Sequence, residues 1–490
     1  MKKLVVSIIF TLFSVCNSLN LVYAKPLLKK DGDTLLIDFG EQAEQGWIKS
    51  DSKTKYTPET GFGWTMTSFI ESKTLSGNRV LSDAIAIKRD CETKTEFKID
   101  VAPGVYDISV YSGDIRFMTV GFEGHPAIIN LEYPASEARV QIPVTDGQLN
   151  MSLLRGSSGM DLSIAAMTVK KVSSLQERKK RIFICGDSTA ATFYPLFMYQ
   201  PLEDGYRGGW GQMLSVYLND SVYVHNMSSQ GQTAKGFIES GRLKSTLFFM
   251  QEGDYAFISL GINDVNAYTE NEYISYMSQI IEAIQDKGGI PVIISSPPYL
   301  YDFAGNGIYN GSDRCYRNCA KEIADKYSLC YIDLSNLSSS FYSRIGSDQL
   351  THMYWTTWSG SKDNIHLSRN GAGQLARLIA EECAKNGFDF VSESTASSIG
   401  AGNNDIRCKT YKNNIYLQNV LPFGKEVMFI TNSHRGGKLV SSRSFTVTLP
   451  SFDVLEPYKT TELSLPLYDT SKHIFMMSEN VSLPLKWVVE

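Results

Sequence analysis

Apolar and polar positions alternate in short runs over the first third of the chain, at residues 35–39, 97–101, 106–111 and 162–166. Gly, Pro, Asp and Ser separate the runs, as at Pro103-Gly104. A period of two bounded by turn residues predicts strands, and many short strands predict a sandwich, here over residues 25–175. A charged connector at 176–181 follows, and the pattern changes. Continuous apolar runs at 182–185, 222–225, 255–260, 291–295 and 329–332 alternate with helical stretches. The clearest helix covers 272–287, with Ile274, Met277, Ile281 and Ile284 on one face and Gly288-Gly289 as its stop. Another begins near Ser368, with Ala372, Leu375, Ala376 and Ile379 on one face. Strands apolar on both faces that alternate with helices predict a parallel sheet covered on both sides, over residues 181–390. Ligands of such sheets bind at the carboxyl ends of the strands. Residues 391–404, rich in Ser and Gly, read as a linker, and 405–490 as a β-rich region without an interpretable motif.

A chain of 490 residues is too long for one ordinary domain. It starts with Lys2 and Lys3, an apolar stretch at 4–15 and the site Val22-Tyr23-Ala24. That order predicts a secretory signal peptide, residues 1–24, and export of the mature chain. The apolar stretch is shorter than the roughly 20 residues of a permanent anchor, and no later segment suits an integral membrane span. Net charge is −5, with 47 basic and 52 acidic residues and no basic patch, which excludes a nucleic-acid partner from the expectation. Beyond the signal stand Cys91, Cys185, Cys315, Cys319, Cys330, Cys383 and Cys408. The odd number and irregular spacing predict buried thiols rather than a disulfide framework, with a bridge from Cys315 or Cys319 to Cys330 as the alternative. No His or Cys pair completes a zinc set, and neither a metal nor a cofactor is expected.

Four segments of the α/β stretch carry chemistry, and each falls after a strand or in a late loop. Gly186-Asp187-Ser188-Thr189 follows the first apolar run and presents a hydroxyl at a strand end. A serine becomes a nucleophile when a base takes its proton; a helix N-cap is the structural alternative. Gly231 follows the second run, where a glycine lets its backbone N–H approach an oxyanion. Asn263, in Gly261-Ile262-Asn263-Asp264, offers an amide donor to the same oxyanion, with an Asx turn as the alternative. Asp363 precedes His366 by three residues, a spacing that lets the carboxylate fold back on the imidazole of a serine triad; a surface turn is the alternative. Four such segments in this order are the parts of a serine esterase.

The four segments resemble the blocks of the SGNH (GDSL-like) hydrolase superfamily, and more narrowly rhamnogalacturonan acetylesterases. Thr189 after Gly186-Asp187-Ser188, Gly209-Trp210-Gly211-Gln212-Met213-Leu214 and Gly236-Phe237-Ile238-Glu239-Ser240-Gly241-Arg242 carry the narrower likeness. The resemblance implies a three-layer α/β/α, flavodoxin-like catalytic domain flanked by the β-sandwich and the β-rich C-terminal region. It implies Ser188 as nucleophile, His366 and Asp363 as base and orienter, and Ser188 N–H, Gly231 N–H and Asn263 as oxyanion hole. Two neighbourhoods depart from the family: Ile262 stands where members often carry His, and Gln230-Gly231-Gln232-Thr233 where many carry Gly-Gly-Arg-Ser. The N-terminal domain resembles a galactose-binding-like sandwich through Asp38-Phe39-Gly40, Thr60-Gly61-Phe62-Gly63-Trp64 and Val101-Ala102-Pro103-Gly104-Val105-Tyr106. Trp47 and Trp64 are either sugar contacts or core.

The expected activity is hydrolysis of O-acetyl esters on plant cell-wall polysaccharide, rhamnogalacturonan first, through a serine acetyl-enzyme. Trp355, Trp358 and Gln232 are the expected substrate contacts, with packing of their own loop as the alternative for the tryptophans. The rival readings are an acetylxylan, sialate or other acyl esterase on the same fold, and a non-catalytic carbohydrate-binding protein.

Overall fold

The computed structural model describes residues 26–391 and 406–485, except 78, 89–90, 92–93, 116, 133, 156–160, 195–205, 306, 311–314 and 358 in the first stretch and 412–413, 420, 422–423, 436–437, 452–460, 465–471 and 479–480 in the second. The expected signal peptide and linker lie outside these residues, as does Trp358. The chain divides into two compact units, Met1–Arg178 and Lys179–Glu490.

The first unit holds two sheets, antiparallel except for the short parallel pairing of Thr34–Asp38 with Ile48–Lys49. One sets Glu137–Val144, Gly104–Ser112, Leu162–Ser173 and Thr34–Asp38 side by side; the other sets Phe62–Trp64, Phe97–Asp100, Gln148–Arg155, Met118–Phe122 and His125–Leu131. Period-two alternation buries one side chain in two along Glu137–Val144. Trp64 is fully buried, with its ring 5.8 Å from Phe39 and 5.1 Å from Phe97. Of the two readings for Trp64, core is the one observed; Trp47 is half-buried.

The second unit is built on a parallel sheet of β1 (Lys180–Gly186), β2 (Val222–Asn226), β3 (Tyr255–Ser259), β4 (Ile290–Ile294) and β5 (Cys330–Ile332), in the order β2-β1-β3-β4-β5. This is the flavodoxin-like order, with β1 at the point where the winding reverses. Besides a single turn at Trp210–Met213, its α-helices are α1 (Ala234–Glu239), α2 (Arg242–Phe249), α3 (Glu270–Asp286), α4 (Arg317–Tyr327), α5 (Leu334–Thr351) and α6 (Arg369–Lys385). Alternate strand residues Ile182, Ile184, Phe257, Val292 and Ile294 join Trp210, Leu334, Phe341, Leu375 and Ile379 in one core. The intervening Phe183, Cys185, Ala256, Ile258 and Ile293 are equally buried on the other face. A strand that buries both faces must be apolar at every position, which is why the runs of the central strands β1, β3 and β4 are continuous; the edge strands β2 and β5 are mostly half-buried. Helices cover both faces, α1 to α4 contacting one another in sequence and α5 packing on α6.

Helix α3 begins two residues before its expected start because Thr269 and Glu272 form a capping box. Its buried stripe is Tyr273, Met277, Ile280, Ile281 and Ile284. Ile274 is only half-buried at the edge of this stripe; Tyr273 takes the inward place, and its hydroxyl donates to Leu260 O at 3.0 Å. Six described cysteines, including Cys315, Cys319 and Cys330, are free thiols. The C-terminal residues form two further antiparallel sheets, one around Lys425–Arg435 and one around Asn414–Asn419. Among the described residues no helix is long and apolar enough to cross a membrane.

Candidate active site

The chemical segments converge at the carboxyl edge of the sheet. Ser188 lies in the turn after β1 and is 5% exposed. No helix starts there among the described residues, so its hydroxyl is not spent on a cap. The turn is shaped instead by Asp187, whose Oδ1 accepts from Thr189 N and Thr189 Oγ1, both at 2.8 Å. Gly209 and Gly211 bring a second backbone onto this turn. A Cβ at Gly209 would lie 2.1 Å from Ala191 O, and one at Gly211 2.5 Å from Ala190 O. Trp210 N donates to Thr189 O at 2.9 Å, so the Gly-Trp-Gly segment clamps the residues just past the serine.

Burial pushes the Asp187 carboxyl up to about 6, against the Thr189 hydrogen bonds and the charge of His366. Gly208 N donates to Leu367 O at 3.1 Å while Trp210 N donates to Thr189 O, so one short segment ties the residue after His366 to the serine turn.

His366 and Asp363 sit together on a strand, β7 (Lys362–Leu367), paired antiparallel with β6 (Tyr354–Thr356). His366 Nδ1 lies 3.1 Å from Asp363 Oδ2, while Asp363 Oδ1 accepts from the backbone N–H of both Ile365 and His366 at 2.7 Å. A carboxylate only accepts, so the ring donates through Nδ1 and keeps Nε2 as its proton acceptor. Burial works to raise the Asp363 pKa, but the hydrogen bonds from His366 and Ile365 outweigh it and hold the group at about 2. The strand is anchored behind by Ser368, whose hydroxyl donates to His352 O at 2.7 Å and caps α6 through Gly371 N.

Gly231 has φ 69°, and a Cβ there would meet nothing within 4 Å. Its glycine therefore serves the left-handed backbone rather than a close approach. Asn263 is half-buried and caps nothing; its Nδ2 donates to Gln232 O at 3.0 Å. One amide hydrogen thus fixes the plane of the group and leaves the second for a ligand. The neighbouring Asp264 is fully buried and accepts from Ala234 N at 2.8 Å, which ties the Asn263 loop to the start of α1. Burial pushes Asp264 up to about 6.

Gln232, expected at the sugar, is buried and uses its amide inside the protein: Nε2 donates to Thr233 O at 3.1 Å and Oε1 accepts from Arg242. Trp355 is half-buried beneath the Arg207 guanidinium, 4.8 Å from its ring centre. Arg207 also covers Phe193 at 4.7 Å and donates to Gln230 Oε1 at 3.2 Å. Tyr354, its neighbour, is fully buried and donates to Pro298 O at 2.8 Å.

Arg207 carries no motif of its own, and only its place just before the Gly-Trp-Gly segment marks it. A 690 Å³ pocket bordered by Tyr299, Tyr301, Tyr316 and Ile365 was likewise not evident from the sequence. The run Pro297-Pro298-Tyr299, directly after β4, is the signal that marks a built loop there.

Two families match the chain: the Beta-agarase/YXIM esterase-like, galactose-binding domain-like family over residues 36–170, and the GDSL-like Lipase/Acylhydrolase family over residues 184–374. The uncharacterized esterase YxiM of Bacillus subtilis is 33% identical over 358 residues, which cover 72% of this chain and 91% of that protein. The probable rhamnogalacturonan acetylesterase YesY of the same organism is 29% identical over 207 residues, covering 41% of this chain and 90% of that protein. A crystal structure of the B. subtilis YxiM protein superposes with a TM-score of 0.68 at 31% identity, covering 73% of this chain and all of that one. The chain belongs to the GDSL-like lipase/acylhydrolase family, in its YxiM-like branch with an N-terminal galactose-binding-like domain, and is a serine carboxylic ester hydrolase.

Proposed function

We propose that the protein is an exported polysaccharide acetylesterase whose substrate is acetylated rhamnogalacturonan. The observation that carries the chemistry is the His366–Asp363 pair, in which a carboxylate held at about 2 fixes the imidazole tautomer. In this mechanism Ser188 Oγ bonds to the acetyl carbon while His366 Nε2 takes its proton. The Ser188 and Gly231 N–H groups and the Asn263 amide stabilise the oxyanion. The bond from acetyl carbon to sugar oxygen breaks, and His366 returns the proton to that oxygen. Water then attacks the acetyl-serine with His366 again as base, releasing acetate and Ser188.

The likeness to YesY and the cationic, aromatic rim of Arg207 and Trp355 support an acidic polysaccharide as substrate. The Lys-led apolar start and its small-residue site support export.

The test is acetate release from acetylated rhamnogalacturonan by the mature chain beside Ser188→Ala. Release lost in the variant supports both parts of the reading. Turnover of an aryl acetate without release from the polymer overturns the pectic assignment and keeps the mechanism. Turnover of neither, with polymer still bound, means a carbohydrate-binding protein.

A further inference from the structure

The 690 Å³ pocket lies beside the catalytic strand and is far larger than an acetyl group needs. Ile365 borders it one residue from His366, and Val265 and Asn266 border it just past Asn263. Tyr299, Tyr301 and Tyr316 supply its aromatic wall. The loop carrying Tyr299 follows β4, two strands from β1 and on the side away from β2. The Gln230 contact of Arg207 follows β2, on the other flank of β1. The pocket and the Arg207 rim therefore belong to opposite flanks of the serine along the sheet edge.

The wall is built rather than incidental. Cys315 and Tyr316 both hold left-handed backbone, with φ 59° and 55°. Gly261, which opens the Asn263 segment, presses on them: a Cβ there would lie 2.3 Å from Cys315 O. Two such non-glycine residues in succession persist only where the surroundings hold them, and such strain concentrates at functional sites. Tyr316 stacks on Tyr273 at 4.9 Å, and Cys315 Sγ–H donates to Tyr299 Oη at 3.3 Å. Tyr301 stands edge-on to Tyr299, with ring centres 5.4 Å apart, and is 48% exposed. Tyr299 is buried and Tyr316 spends its hydroxyl on Tyr268 O, so exposed Tyr301 supplies the ring face for the C–H side of a pyranose, with half-buried Tyr316 beside it.

Among the described residues, the charged ones bordering the pocket are Glu270 and Glu322, both carboxylates. They oppose entry of a third carboxylate and leave an uncharged sugar as the fitting occupant. We propose that this pocket is the subsite for the neutral sugar that flanks the acetylated residue, so that a chain of alternating neutral and acidic sugars enters in one direction. The proposal rests on the polysaccharide-ester reading above.

The test compares kcat/KM for wild type, Tyr301→Ala and Glu322→Lys on acetylated rhamnogalacturonan oligosaccharide, acetylated oligogalacturonide and 4-nitrophenyl acetate. Tyr301→Ala is expected to lower turnover of the rhamnogalacturonan oligosaccharide about tenfold or more while aryl acetate stays within about twofold. Glu322→Lys is expected to raise turnover of the oligogalacturonide, whose neighbours are all uronates, by about threefold or more. Equal losses on ester and oligosaccharide, or an oligosaccharide rate untouched by Tyr301→Ala, overturn the subsite. An unchanged oligogalacturonide rate in Glu322→Lys overturns its charge selectivity. Wild type that hydrolyses only the aryl acetate overturns the polysaccharide reading itself, and the subsite with it.

Discussion

Asp363 commits both oxygens to the segment that carries His366, and an amide in its place would offer one acceptor where three N–H groups now donate. Asp363→Asn is expected to lower kcat on an aryl acetate on the order of 10³–10⁴-fold with little change in KM, read by steady-state kinetics. Held at about 2, this carboxyl adds stability that is complete above its ordinary value of 3.8 and is lost as pH falls through about 2. It therefore stays ionised at neutral pH, and an acid limb in the rate near neutrality belongs to another group. Asp187 has the opposite sign. Raised to about 6 by burial, it keeps a proton that the unfolded chain has already released, so its contribution declines as pH climbs from about 3.8 to 6. Asp187→Asn retains an acceptor for Thr189 and removes the charge. Denaturant melts are expected to show a gain on the order of 1–3 kcal/mol at about pH 8 and a flatter decline between about pH 4 and 7. Asn263→Ala is expected to cost about 10²–10³ in kcat with the fold retained, checked by kinetics beside circular dichroism. The pairing of His366 with Asp363 was legible in the sequence because it is made across three residues of one strand. The inward use of Gln232 was not, since its partner Arg242 is supplied by a separate helix.

Strands and helices were legible wherever packing demands one chemical character at every position. The five apolar runs match β1 to β5 to within a residue or two, most plainly in β1, β3 and β4, whose two faces are both covered. Helix α3 was displaced at its start because capping, rather than the apolar stripe, sets where it begins. The tyrosine pocket stayed hidden for another reason: its wall is assembled from the loops after β3 and β4, the start of α4 and strand β7. No single stretch of sequence carries its pattern. The Gly209-Trp210-Gly211 motif gains a physical meaning from its contacts, since each glycine lets one backbone rest on the turn that carries Ser188. Gly211→Ala is expected to destabilise the chain by about 1–3 kcal/mol and to reduce kcat beyond what the lost folded fraction explains. Thermal melts and kinetics on the same preparation separate the two effects.

Every residue assigned to the reaction lies within Lys179–Glu490, and that unit has a core of its own. A chain of residues 179–490 is therefore expected to hydrolyse an aryl acetate at about the full-length rate. A selective loss on polysaccharide would assign substrate capture to the galactose-binding-like unit. The division into a β unit and an α/β unit was plain from the change of period near residue 181, because sandwich strands show one face to the interior and parallel strands show two. The local closure of His366 on Asp363 has a kinetic corollary. Joining those two groups encloses almost no chain and costs little entropy, whereas bringing either to Ser188 encloses most of the α/β domain. A partly opened molecule can thus keep an oriented base after the hydroxyl it serves has drifted away. Heat inactivation should begin with that separation, while the imidazole's own surroundings, followed through its ring protons by NMR, still look native.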